Sequence, residues 1–92
     1  MSQRLAIHVT VAGRVQGVGF RYHLQRAAQA AGLDGWCRNR YDGTVEAVLA
    51  GSPSQVELVL AWCRHGPAHA EVSDVTVERD AEDPGSNGFR IR

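Results

Sequence analysis

The stretch Leu5-Ala-Ile-His-Val-Thr-Val-Ala-Gly-Arg-Val-Gln-Gly-Val-Gly-Phe-Arg21 changes its apolar period partway along, and that change decides the fold. Leu5, Ile7, Val9 and Val11 alternate with Ala6, His8 and Thr10, the two-residue period of a half-buried strand. His8 is expected on the outer face of that strand as a polar filler. From Phe20 the residues Phe20, Leu24, Ala27, Ala28 and Ala31 fall at helical spacing, and Gly32 is placed to end the helix. Leu33 supplies the apolar contact after the cap.

Between strand and helix lie Gly13, Gly17 and Gly19. Glycine reaches positive φ without strain, so the backbone there can turn its N–H groups inward and form an anion-binding concavity. A helix opening at Phe20 aims its unpaired N–H groups at the same place. Arg21 adds a planar, permanently charged fork that matches phosphate oxygens. The spacing is neither that of a P-loop nor that of a dinucleotide fold. Taken alone, these residues describe a phosphate cradle or a glycine-rich turn with a solvated arginine equally well.

Outward from this stretch, Gly35 to Arg40 reads as a second strand, with Cys37 and Asn39 on one face and Trp36, Arg38 and Arg40 on the other. Tyr41-Asp42-Gly43 signals a tight primed hairpin turn. A third strand follows, with Val45, Ala47 and Leu49 inward and Glu46 and Val48 outward. Ser52 as N-cap and Pro53 at the first helical position open a second helix. Its apolar stripe is Val56, Val59, Leu60 and Cys63, with Trp62 packing at the margin and Gly66-Pro67 beyond its end. In the fourth strand, Ala70 and Val72 share one parity and Val75 and Val77 the other, which predicts a bulge near Ser73-Asp74. Asp80 to Asn87 reads as a surface loop, and Phe89 and Ile91 mark a short last strand.

The order β-α-β-β-α-β plus a closing strand is that of an α+β, ferredoxin-like two-layer sandwich: one domain over residues 1–92, an antiparallel sheet and two helices on one face. A right-handed crossover makes strands one and two parallel, so their C-terminal ends share an edge of the sheet. The glycine loop and Asn39 should therefore face one pocket. Asn39 can accept from and donate to a water while the loop and Arg21 hold a phosphoryl group for in-line attack. An asparagine before an Asp-Gly hairpin is also an ordinary turn residue.

Composition narrows the class. With 43 % apolar and 22 % charged residues the chain is an ordinary globular domain, and at 92 residues it is one with a small core. No apolar run approaches the roughly 20 residues of a spanning helix, and a cytoplasmic location is expected. Residues 1–40 carry a net charge of +5 and residues 41–92 one of −5, which puts the glycine loop in the positive half. Cys37 and Cys63 are too few for a disulfide framework or zinc ribbon, and buried free thiols are expected. Gly66 and Pro67 separate His65 from His69, so no metal is expected.

Several matches in the same order resemble the acylphosphatase family. They are Gly13 to Arg21, Gly32-Leu33, Gly35-Trp36-Cys37-Arg38-Asn39, Asp42-Gly43-Thr44-Val45-Glu46, Gly66-Pro67 and Phe89-Arg90-Ile91-Arg92. The family usually has valine at the position of Cys37. The resemblance implies the same fold with strand order 4-1-3-2-5, and hydrolysis of acyl phosphates to carboxylate and inorganic phosphate. It also implies Arg21 on the phosphoryl group, Asn39 on the water, and backbone donors from Val15, Gln16, Gly17, Val18, Gly19 and Phe20. No cofactor, metal, nucleic acid or membrane enters this reading, and a monomer is expected. A leaving carboxylate, whose acid has a pKa of about 4, needs no general acid. The phosphate is taken to accept the water's proton. Two other classes compete: a regulatory domain that binds an anion without turnover, and an RNA-binding module. The second needs aromatics on the two central strands, and strands one and three have none.

Overall fold

The computed structural model describes residues 3–92. Seven elements follow one another: β1 (Leu5–Arg14), α1 (Phe20–Ala30), β2 (Asp34–Asn39), β3 (Val45–Gly51), α2 (Pro53–Cys63), β4 (Glu71–Glu78) and β5 (Phe89–Ile91). The strands form one sheet in the order β4-β1-β3-β2-β5. This is the expected α+β sandwich, with one correction to its sheet. β1 pairs antiparallel with β3 and β4, and β2 antiparallel with β3, but β5 runs parallel to β2. The reason lies in the ends. β4 finishes opposite His8 and β2 begins opposite Ala50, itself the partner of Ala6, so both termini lie at one end of the sheet. The connecting loop crosses there, with Ala81 N–H donating to the Ala6 carbonyl, and delivers β5 alongside the start of β2.

Alternation along the strands builds the core. Ile7, Val9 and Val11 from β1, Val45, Ala47 and Leu49 from β3 and Cys37 from β2 pack with Leu24 and Ala28 of α1 and Val56, Val59, Leu60 and Cys63 of α2. β4 has its expected bulge: Ala12 pairs with Asp74 and Gly13 with Val72, which leaves Ser73 unpaired. The β2–β3 hairpin differs from expectation. A two-residue primed turn would put Asp42 at positive φ, yet among the described residues no non-glycine residue has one. Instead Gly43 N–H donates to the Arg40 carbonyl, Arg40 N–H donates to the Thr44 carbonyl, and Gly43 takes φ 89° after the turn. Asp42 prefers this form because its carboxylate accepts from both Thr44 N–H (3.0 Å) and Thr44 Oγ1 (2.6 Å).

The outer sheet face is not simply solvated. Glu46 and Val48 are each only 7 % exposed. The 79–88 loop lies over part of this face, and Arg4 pins it by contacts to Asp83, to the Gly85 carbonyl and to Asp34. His8 is therefore more than a filler. Its Nε2 donates to Glu46 Oε2 at 2.6 Å, while Arg38 Nε donates to Oε1 at 2.5 Å.

Burial alone would raise the Glu46 pKa, but the hydrogen bonds from His8 and Arg38 outweigh it and hold the carboxyl below its ordinary value. A depressed folded pKa means that the stabilisation is complete above the unfolded value of about 4.3 and is lost as pH falls through the folded value. Glu46→Gln should cost about 1–3 kcal/mol at pH 7, toward the lower figure because Arg38 is half exposed. The gap from the unsubstituted protein should narrow below about pH 4. Urea unfolding at pH 7 and pH 3.5 checks both.

Candidate active site

β3 lies between β1 and β2, and Val45 pairs with Val11 on one side and Asn39 on the other. Asn39 thus ends β2 level with the point where β1 leaves its pairing with β3 and heads into the glycine loop. Gly17 and Gly19 take φ 74° and 78°. Val18 between them has no positive φ, so the loop alternates between the two hands, the arrangement that turns successive N–H groups to one side. Gly19 is the N-cap of α1 and offers no side-chain cap, and the first turn carries no acid. The first intrahelical bond is His23 N–H to the Gly19 carbonyl, at 3.1 Å. Among the described residues, nothing accepts from the N–H groups of Gln16, Gly17, Val18 or Gly19. The loop and helix end therefore present several free donors to an anion.

These groups border a cavity of about 200 Å³ lined by Val15, Gln16, Gly17, Gly19, Phe20, Arg21, Tyr22, Asn39 and Ile91. Arg21 and Asn39, the two residues singled out for chemistry, are both in its wall. Among the described residues, Arg21 has no carboxylate within ion-pair distance. The Asn39 amide likewise makes no hydrogen bond to protein. An arginine without an acid beside an unengaged amide leaves a site able to receive an oxyanion and a water. No carboxylate or imidazole lines this cavity to act as general base.

The remaining loop residues divide. Val18 is half-buried against the core and does not line the cavity. Phe20 is 2 % exposed and anchors the loop from below, its ring 5.3 Å from that of Trp62. The Gln16 amide is spent on backbone, donating to the carbonyls of Arg40 and Thr44. Sequence reasoning missed Tyr22 and Ile91 in the wall. Tyr22 could have been found as the residue next to Arg21. Ile91 could not, because it reaches the site only through the parallel pairing that sets it opposite Cys37. The Thr44 hydroxyl is committed to Asp42 and stands outside the wall.

A family model described as Acylphosphatase matches residues 7–91. An acylphosphatase of Trichormus variabilis is 50 % identical over 91 residues, covering 99 % of this chain and 89 % of that relative. The structure of an acylphosphatase from Coxiella burnetii superposes with a TM-score of 0.90 at 37 % identity, covering 97 % of this chain and 93 % of the other. An acylphosphatase structure from Bacillus subtilis gives a TM-score of 0.91 at 35 % identity, covering 96 % and 98 %.

Cys37 stands behind this wall, with its Sγ 3.8 Å from the Arg21 carbonyl, and Cys63 is buried with it. Burial pushes the Cys37 thiol up to about 11 despite the nearby Arg21 charge, and the Cys63 thiol up to about 12. Both should stay protonated, and a thiol reagent at pH 8 should modify them at least about 10²-fold more slowly in the native than in the unfolded protein. Timed labelling with and without denaturant measures the ratio.

Proposed function

The chain belongs to the acylphosphatase family and hydrolyses the carboxyl–phosphate bond of acyl phosphates, and we propose that it does so in the cavity between the glycine loop and Asn39. The free N–H groups of the loop from Val15 to Phe20, the first turn of α1 and the Arg21 guanidinium hold the phosphoryl oxygens. The Asn39 amide holds a water on the far side of the phosphorus from the acyl oxygen. Attack in line forms the new P–O bond as the bond to the acyl oxygen breaks. The electron pair leaves on the carboxylate, and a phosphate oxygen takes the water's proton. No covalent intermediate forms.

The observation that carries this reading is that Arg21 and Asn39, which among the described residues have no carboxylate partner and no protein hydrogen bond to the amide respectively, share one small wall. Their chemistry suffices for an acyl phosphate because the leaving group is a stable anion at neutral pH, its acid having a pKa of about 4. A phosphomonoester, with its poorer alkoxide leaving group, would call for a general acid, and no carboxyl or imidazole lines the wall. Arg21 and the N–H groups supply the positive charge a magnesium ion supplies elsewhere, so turnover is read as metal-independent, with inorganic phosphate as product. The exposed large apolar residues Tyr22, Tyr41, Leu58 and Ile91 are few, which supports a monomer. Buried free thiols suit a reducing compartment and support a cytoplasmic location. No helix among the described residues is long and apolar enough to cross a membrane.

The test is hydrolysis of an acyl phosphate in the presence of EDTA, with inorganic phosphate as inhibitor. Full turnover with chelator and competitive inhibition are expected; activity that magnesium must restore would overturn the metal-independent reading. Arg21→Ala should weaken phosphate inhibition and depress kcat together. Asn39→Ala should lower kcat by about 10² while phosphate binds nearly as before. If both variants lose phosphate binding equally, Asn39 belongs to the cradle instead.

A further inference from the structure

The two halves of the site sit on separate segments. The phosphoryl cradle is the loop from Val15 to Gly19 with the start of α1. The water holder, Asn39, ends β2 next to a hairpin whose residues Arg40 to Gly43 are all exposed. In-line attack requires these halves to keep one separation, and an error of about 1 Å is enough to cost rate. Among the described residues, the only hydrogen bonds that join loop and hairpin come from Gln16. Its Nε2 donates to the Arg40 carbonyl at 2.8 Å and to the Thr44 carbonyl at 3.0 Å. Arg40 follows Asn39 directly, and its own N–H donates to that same Thr44 carbonyl at 2.9 Å. One amide nitrogen thus grips both strands of the hairpin at its closing pair.

We propose that Gln16 is a positioning residue that fixes the distance between the bound phosphoryl group and the water on Asn39. The inference rests on the preceding reading of Asn39 as the water's partner. Glutamine suits the task because its single nitrogen carries two N–H donors in a plane, one for each carbonyl, and brings no charge to a site built for an anion. Asparagine is one methylene shorter. Glutamate would set an acceptor against two acceptors.

Gln16→Met keeps the length and removes both donors. We expect kcat to fall about 10-fold, with KM and the inhibition constant of inorganic phosphate changed less than twofold. Because Gln16 acts through Asn39, adding Gln16→Met to Asn39→Ala should lower kcat by less than a further twofold. An unchanged kcat in Gln16→Met, a parallel loss of phosphate inhibition, or a full additional 10-fold loss in the double variant would each overturn the inference. If Asn39→Ala itself keeps full turnover, the water-holding reading fails and this inference with it, an outcome told apart from the others by the single variant alone. Thermal unfolding of each variant guards against loss of fold. Should Gln16→Met not fold, Gln16→Asn, which is polar but too short, is held to the same outcomes.

Discussion

The site depends on the antiparallel pairing of β3 with both β1 and β2. That arrangement makes β1 and β2 parallel neighbours once removed, and the row Val11, Val45, Asn39 brings the exit of one level with the end of the other. Had β2 slipped by one residue, Asn39 would have turned to the outer face beside Glu46, while Arg38 would have turned inward and Cys37 would have left the core. The register is held by burial on both sides. Cys37 and Ala47 face each other inward, while Arg38 and Glu46 face each other outward and are hydrogen-bonded.

Among the described residues, four arginines are tied to acids, and Arg21 is not one of them. Arg4 is paired with Asp34 and Asp83, Arg38 and Arg40 with Glu46, and Arg79 with Glu57. Arg26 lies against the Tyr22 ring and its hydroxyl. Arg21 has none of these acid partners, although it opens a helix, where the macrodipole disfavours a cation. Folding alone would not favour an unpaired arginine at that position. A bound anion reverses the argument, because the dipole, the free N–H groups and the guanidinium then act on one negative charge. Local unfavourable choices of this kind are expected where a site is built for a ligand, which agrees with the role proposed for Arg21.

Support beneath the site is apolar and rigid. Phe20 packs on Trp62, and a side chain on Gly66 would put its Cβ 2.7 Å from the Phe20 ring, so that glycine leaves the room the ring needs. The loop above it holds its shape by two left-handed glycines, and Gln16 ties that loop across to the hairpin. Rigid elements therefore set Arg21, while Asn39 depends on a strand end and on a tether.

The sequence by itself determined the element order, the inward faces of β1, β2 and β3, the bulge at Ser73, and the pairing of the glycine loop with Asn39, because each rests on a local period or a turn residue. It also held the family pattern on which acyl phosphate hydrolysis rests. Tertiary structure alone decided the rest. The parallel β2–β5 pairing that brings Ile91 to the wall follows from where distant strand ends meet. The hairpin form follows from the contacts Asp42 makes with Thr44, which compete with the primed turn its Asp-Gly dipeptide suggests. The partners of His8 and Gln16 lie 38 and 24 or more residues away, beyond the reach of any periodicity. A side chain's face can be read from its neighbours in sequence, but what it touches is set by the strands and loops that packing brings to that face.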